Sequence, residues 1–367
     1  MANVPDTIQT WQMVQPTAKD KETGELIPGK HEKKEIPVPE LAPGDVLVEV
    51  AGCGVCHTDL GFFYDGVPNV NKPPLTLGHE ISGTVVAGDE KWVGKEVIIP
   101  AVMPCRKCLL CKTGRGNRCL NQKMPGNSLG IYGGFSSHIP VPSIDLCEIK
   151  DRQGIPLSHF AVVADAATTP YQAAKRAALG NGDNVVVIGV GGVGQYMVQE
   201  AKALGASVVV AIDIDEERLN KMLSYGADFV INSSGKVPKD IFEELRSIRK
   251  QNQLPNYSWK MFEVSGTKVG QEIALNLLSF TGKLLIVGFG LQKLEYSISR
   301  LMAFDAEIIG TWACLPEYYP QILEMVLSRK VEIEPFVQTR PMSEIAEAFE
   351  EAHKVSPDKR IVLLPDF

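Results

Sequence analysis

The sequence predicts an α/β protein of two domains, one mostly β and one built on a doubly wound parallel sheet. Three observations predict it. The first half of the chain is rich in Val, Pro and Gly, with short strand-like runs separated by turn residues. Beyond about residue 160, apolar strands alternate with helical stretches, which is the pattern of repeated βαβ units. A chain of 367 residues is also too long for one small core.

Taken in order, Pro16 to Lys34 is polar, carries Gly24 and Gly29, and reads as a long hairpin connection. The short basic run His31-Glu32-Lys33-Lys34 reads as a solvated loop. Strands are predicted at Asp45–Val50, Ile81–Val86 and Glu96–Pro100. Six more follow, at Asn184–Ile188, Ser207–Ile212, Phe229–Ile231, Lys260–Val264, Lys283–Val287 and Glu307–Gly310. These six are nearly continuous in apolar residues, as a sheet covered on both faces requires. The tail reads as helices over Glu317–Arg329 and Met342–Lys354 and a strand over Arg360–Leu364 that rejoins the first domain. The expected division is 1–165 with 315–367, and 166–314.

A formal charge of −7 and a pI near 5.5 disfavour nucleic acid as a partner, because phosphate binding asks for a basic surface. The first thirty residues hold no apolar run of signal-peptide length, and the longest apolar stretches are broken by glycine and fall short of a membrane span. The expected compartment is the cytoplasm. Thiols stay reduced there, so clustered cysteines point to metal rather than to disulfides.

Gly189-Val190-Gly191-Gly192-Val193-Gly194 follows the strand Val185–Ile188 and opens a helix over Gln195–Leu204. In that context it is a dinucleotide-binding pattern. Gly189 permits the tight turn, Gly191 lets backbone approach a pyrophosphate at the helix N-terminus, and Gly194 allows close helix–strand packing. Asp213 ends the next strand, 19 residues after Gly194. It can bond a ribose 2′-hydroxyl and would repel a 2′-phosphate, so NAD is expected over NADP. Arg218 either flanks the adenine or is an exposed helix arginine.

Cys105, Cys108, Cys111 and Cys119 are spaced 3, 3 and 8 apart. Four thiolates from one short loop enclose a tetrahedral zinc with no open position, so this site is read as structural. A redox role asks for one accessible pair instead. A second set is scattered: Cys53, Cys56, His57, Thr58 and Asp59 in CGVCHTDL, His79 and Glu80 in LGHE, and Asp165 in VADAATTP. Cys56, His79 and Asp165 would supply S, N and O ligands to a catalytic zinc that keeps an open position, with Asp59 and Glu80 orienting ligands or balancing charge. Each also has a plain structural reading, as a core cysteine, a turn histidine or a helix cap, and spacing alone does not join them.

Together, Gly54-Val55-Cys56-His57-Thr58-Asp59, Gly78-His79-Glu80, the four-cysteine lobe, Gly189 to Gly194 with Asp213, and Asp165-Ala166-Ala167-Thr168-Thr169 resemble the zinc-dependent medium-chain alcohol dehydrogenase family. The likeness runs over residues 36 to 364. It implies a GroES-like β domain closed by the C-terminal segment, a Rossmann domain, and a homodimer or homotetramer. It implies two zincs per chain, with Cys56, His79 and Asp165 as catalytic zinc ligands. Glu80 then corresponds to the acid that can approach the zinc, Thr58 to the hydroxyl that touches the substrate oxygen, and Arg360 to a basic residue near the cofactor pyrophosphate. His57 falls where the family has a basic residue near the pyrophosphate. Gly61 stands where some members carry a relay histidine, so a proton must leave through water, His57 or another path.

Along its whole length, with the N-terminal hairpin and Thr311-Trp312-Ala313-Cys314, the chain is similar to the branch acting as 6-hydroxycyclohex-1-ene-1-carbonyl-CoA dehydrogenases in anaerobic benzoyl-CoA breakdown. That implies oxidation of an allylic secondary alcohol on a CoA thioester, and zinc chemistry would then permit a hydratase side activity. The alternative substrate is a simple secondary alcohol or polyol. A zinc-independent reductase of the same fold is disfavoured by the ligand set, and a non-catalytic relative by the intact motifs.

Overall fold

A computed structural model describes residues 4–354 and 357–367. The chain forms two compact units, one of Met1–Thr168, Ala313–Leu327 and Ile333–Phe367, the other of Thr169–Trp312 and Ser328–Glu332. Among the described residues no helix is long and apolar enough to cross a membrane.

The first unit is built on a sheet whose strands lie in the order Cys147–Ile149, Glu96–Ile99, Glu80–Gly88, Asp45–Gly54, Arg360–Leu364 and Val337–Pro341, with His138–Pro142 also paired to Asp45–Gly54. The C-terminal strand completes it, through the pairs Val362↔Gly54 and Leu363↔Cys53. Val48, Val50, Ile81, Phe135, Phe349 and Leu363 are among the side chains of its buried core. Removing such apolar surface from water is worth roughly 25 cal/mol per Å².

Thr7–Gln15 and Lys30–Pro37 form an antiparallel hairpin in register from Thr7↔Pro37, and its tip pairs Ala18–Lys19 with Leu26–Ile27. Asp20 closes the turn by accepting from the backbone N–H of Glu22 and Thr23, and Gly24 takes the positive φ of 72° that the turn needs. His31, expected in a solvated loop, is instead half-buried. Its ring stacks on Phe63 at 4.2 Å and meets Phe349 edge-on at 4.8 Å. Aromatic contact decides this: Phe63 and Phe349 cover the His31 ring, while Lys33 and Lys34 further along the same strand stay exposed.

In the second unit the strands Phe229–Asn232, Val208–Asp213, Asn184–Ile188, Lys260–Glu263, Lys283–Ile286 and Glu307–Gly310 lie side by side in that order, all parallel. This is the Rossmann arrangement, and all six expected strands are present to within a residue at either end. The outermost strand departs from the expectation of two covered faces, because Glu307, Ile308 and Gly310 are exposed. An edge strand has only one neighbour, and its apolar residues here still face water.

Burial against the two phenylalanines pulls the His31 imidazole down to about 3 from an ordinary 6.5, against a weaker opposing pull from Asp59. A depressed folded-state value favours the neutral ring. Its stabilising contribution is full above pH 6.5 and is lost as pH falls from there towards about 3. His31→Phe should flatten the acid limb of stability, measured by thermal melts at constant ionic strength between about pH 7 and about pH 4. Equal slopes for both proteins would remove His31 as the source.

Candidate metal centre and dinucleotide loop

Antiparallel pairing of Asp45–Gly54 with Glu80–Gly88 sets Gly54 opposite Glu80. Cys56 lies just past the end of the first strand, at the N-cap of the helix His57–Phe63, and His79 lies just before the start of the second. Asp165 follows the turn Leu157–Ala164. One donor atom from each of Cys56, His79, Glu80 and Asp165 lies within 4.8 Å of all the others. Asp165 Oδ2 is 3.7 Å from the Cys56 sulfur and 3.6 Å from His79 Nε2.

Asp59, fully buried, fixes this geometry. Its Oδ2 accepts from the Cys56 N–H at 3.2 Å, and its Oδ1 accepts from the Gly78 N–H at 2.9 Å and lies 3.3 Å from His79 Nδ1. A carboxylate on Nδ1 leaves Nε2 directed at the cluster. Gly78 takes a φ of 95°, and a Cβ there would sit 2.6 Å from the Cys53 sulfur, so only glycine turns the chain at this point. His79 Nε2 and Glu80 Oε2 are buried with no hydrogen-bond partner among the described residues. Buried polar atoms are rarely left unsatisfied, so two orphaned donor atoms beside a thiol and a second carboxylate fit a zinc ion.

Glu80 Oε1 accepts from Arg360 Nη2 at 2.8 Å. Burial pushes its carboxyl up to about 7, and Asp165 adds to that while Arg360 opposes it. Arg360, which the resemblance sets near a cofactor pyrophosphate, belongs to the first unit. It is buried, with Nη1 donating to the Val55 carbonyl at 3.1 Å and Nη2 3.9 Å from the Cys56 sulfur. A guanidinium this deep is held by the buried acid it neutralises. Thr58 is half-buried with its hydroxyl 3.8 Å from the Cys56 sulfur, while His57 is exposed on the same helical turn. Sequence reasoning missed Tyr319. Its hydroxyl accepts from the Ala101 N–H at 3.1 Å and donates to the Ala164 carbonyl, which steadies the backbone next to Asp165. Nothing local marks a tyrosine so far along the chain.

The sulfurs of Cys105, Cys108, Cys111 and Cys119 also lie within 4.8 Å of one another. Neighbouring pairs are 3.5 to 4.0 Å apart, and the Cys119 sulfur accepts from the N–H groups of Cys105 and Asn121. Leu109 and Leu120 point into water, so the lobe has little apolar core of its own. Arg106 ties it to Asp145 by an ion pair.

In the second unit Gly189 has a φ of 87°, and a Cβ there would come within 2.7 Å of Ser265. A Cβ on Gly194 would meet the Gly189 carbonyl at 1.8 Å. Val193 is the N-cap residue of the helix Gly194–Ala203, and Gly191 accepts from the Gln195 N–H. Gly192 accepts from the Gln195 side chain. Asp213 Oδ2 accepts from the Val190 N–H at 2.7 Å, and its Oδ1 accepts from the N–H groups of Ile214 and Asp215. Asp213 therefore fastens the glycine loop as well as ending its strand. Arg218 is half-buried in the first turn of Glu216–Leu223.

Residues 42–151 match the family described as Alcohol dehydrogenase GroES-like domain, and residues 192–328 match Zinc-binding dehydrogenase. An alcohol dehydrogenase of Geobacillus stearothermophilus is 31% identical over 338 residues, covering 90% of this chain and 95% of that protein. The chain belongs to the zinc-dependent medium-chain alcohol dehydrogenase family. A sorbitol dehydrogenase of Bombyx mori is 28% identical to this dehydrogenase over 331 residues, covering 86% and 90% of the two chains. An L-idonate 5-dehydrogenase of Vitis vinifera is 28% identical over 322 residues, covering 85% and 86%. Among solved structures, acetophenone reductase from Geotrichum candidum in complex with NAD superposes with a TM-score of 0.80 at 26% identity, covering 99% and 98%.

A Cβ on Gly54 would lie 2.1 Å from Glu80 Oε2 and 3.0 Å from its Cβ. Gly54→Ala should therefore force Glu80 aside and lower stability by about 1–3 kcal/mol, read from denaturant melts. An unchanged midpoint would mean that Glu80 is free to leave the strand without cost.

Proposed function

We propose that this dehydrogenase oxidises a secondary hydroxyl of a simple alcohol or polyol to the ketone, with NAD as hydride acceptor. The observation that carries the reading is the donor set of one thiol, one imidazole and two carboxyls at Cys56, His79, Glu80 and Asp165, the first three buried and Asp165 half-buried. A zinc held by Cys56, His79 and Asp165 supplies Lewis-acid polarisation of the hydroxyl, and NAD supplies the hydride acceptor. Around it, Asp59 keeps the His79 tautomer and Arg360 holds Glu80. The Thr58 hydroxyl takes the proton released by the substrate and passes it outward through water or His57, because Gly61 offers no relay side chain. The glycine loop with Gly191, Gly192 and Val193 receives the pyrophosphate on backbone N–H groups. Asp213 takes the ribose hydroxyls, and Arg218 lies alongside the adenine.

The polyol and alcohol relatives favour this substrate class over the cyclic hydroxy-enoyl-CoA thioester of aromatic degradation. The four-cysteine lobe is assigned a second, structural zinc. The reducing cytoplasm, which keeps such thiols available to a metal, is the proposed compartment. The exposed edge strand Glu307–Gly310 supports assembly as a homodimer or homotetramer.

NADH formation by purified enzyme on polyols, simple secondary alcohols and the cyclic hydroxy-enoyl-CoA thioester tests the substrate class. Turnover with the thioester alone would overturn it. Cys56→Ser should lower turnover by more than about 100-fold with NAD binding retained; near-normal turnover would overturn the ligand assignment. Cys108→Ser should reduce bound zinc and lower Tm, and full metal content in a folded variant would refute the structural site. Asp213→Ala should weaken NAD binding and narrow its margin over NADP, and an unchanged ratio would deny Asp213 the ribose contact.

A further inference from the structure

The second unit carries a cavity of about 510 Å³, within the usual range for small-molecule sites. Arg246, Arg249, Lys250 and Arg300 line it together with Phe280 and Phe304, and no acidic residue does. Its walls come from the helix Pro238–Gln251, the segments that lead into the strands Lys260–Glu263 and Lys283–Ile286, and the helix Ser299–Phe304. Those segments enter the parallel sheet at its N-terminal edge. The glycine loop and Asp213 leave it at the C-terminal edge, so the cavity is separate from the dinucleotide site.

Arg249 is the telling residue. It is 7% exposed, and its Nε and Nη2 are buried with no hydrogen-bond partner among the described residues. Its guanidinium lies over Trp259, 4.9 Å from the ring centroid, which holds the group in place without neutralising it. Burial lowers its pKa to about 10, which leaves it charged at neutral pH. A buried cation without an anion is costly, and three further cations beside it repel one another; among the described residues Arg246 alone of them has an acid within reach, the exposed Glu243 at 3.2 Å. Phe280 and Phe304 pack with ring centroids 4.7 Å apart, and Arg300 lies 5.0 Å over Phe304. Phe280 remains half-exposed on the wall.

We propose that this cavity is a second small-molecule site, one that takes an organic phosphate: the phosphate on Arg249 with Arg246 and Arg300, and a ring-bearing apolar body against Phe280 and Phe304. Guanidinium forks match phosphate oxygens, and the rings offer an apolar floor.

The probe is 1-naphthyl phosphate, titrated by calorimetry into the full-length zinc enzyme saturated with NADH, so that the dinucleotide site is filled. Inorganic phosphate and 1-naphthol are titrated alongside. The naphthyl ester should bind about tenfold or more tightly than either, and Arg249→Met should weaken it about tenfold or more. Phe280→Ala, a change at an exposed ring, should weaken the ester and leave inorganic phosphate unaffected. NADH binding and Tm serve as fold controls for both variants. The proposal is overturned if the ester does not bind in the presence of NADH, if inorganic phosphate binds as tightly as the ester, or if folded Arg249→Met and Phe280→Ala proteins bind it as wild type does.

Discussion

The carboxylate of Asp59 is the contact on which the rest of the first unit's site depends. A fully buried acid survives only where donors replace its water. Here those donors are the N–H groups of Cys56 and Gly78 and the His79 ring, which belong to two loops brought together by one pair of strands. The same three contacts that satisfy the acid also set the distance between the Cys56 sulfur and the His79 imidazole. Fold stability and ligand geometry are therefore one arrangement rather than two.

Close packing around that arrangement leaves no room for side chains at several positions. Gly54 gives way to Glu80, Gly78 gives way to Cys53, and a Cβ on Gly134 would lie 2.5 Å from the same Cys53 sulfur. Cys53 and Cys56 thus part company although they are three residues apart. Cys53 sits on the strand in the core, where burial drives its thiol well above the usual range, and Cys56 lies beyond the strand end among the donor atoms. The glycines make the metal centre possible by what they omit.

Much of this was legible in the sequence. The six strands of the parallel sheet read correctly because buried parallel strands are written as short apolar runs. The two donor clusters were visible as residue types, and the four-cysteine lobe as a spacing. What the sequence does not carry is pairing over long separations. The ion pair of Arg360 with Glu80 spans 280 residues, and the hold of Tyr319 on Ala164 spans 155, so neither has a local signature. His31 departs from the solvated reading of its charged run because the rings that cover it, Phe63 and Phe349, come from elsewhere in the chain and leave no mark in the run itself. The substrate stayed outside the motifs altogether: they describe the reacting atoms and the cofactor and leave the rest of the alcohol unwritten.

The hydrogen bond from Val190 to Asp213 reaches further than the loop it closes. An acid at the end of this strand reads as a selector between two nicotinamide cofactors, which invites its replacement whenever the other cofactor is wanted. In this chain the same carboxylate is also a rivet for the glycine-rich turn, through the N–H of Val190. A lineage, or an engineer, that removes the acid to change a cofactor preference also loosens that turn. The switch therefore needs at least two coordinated changes, one to admit the new charge and one to fasten the turn again.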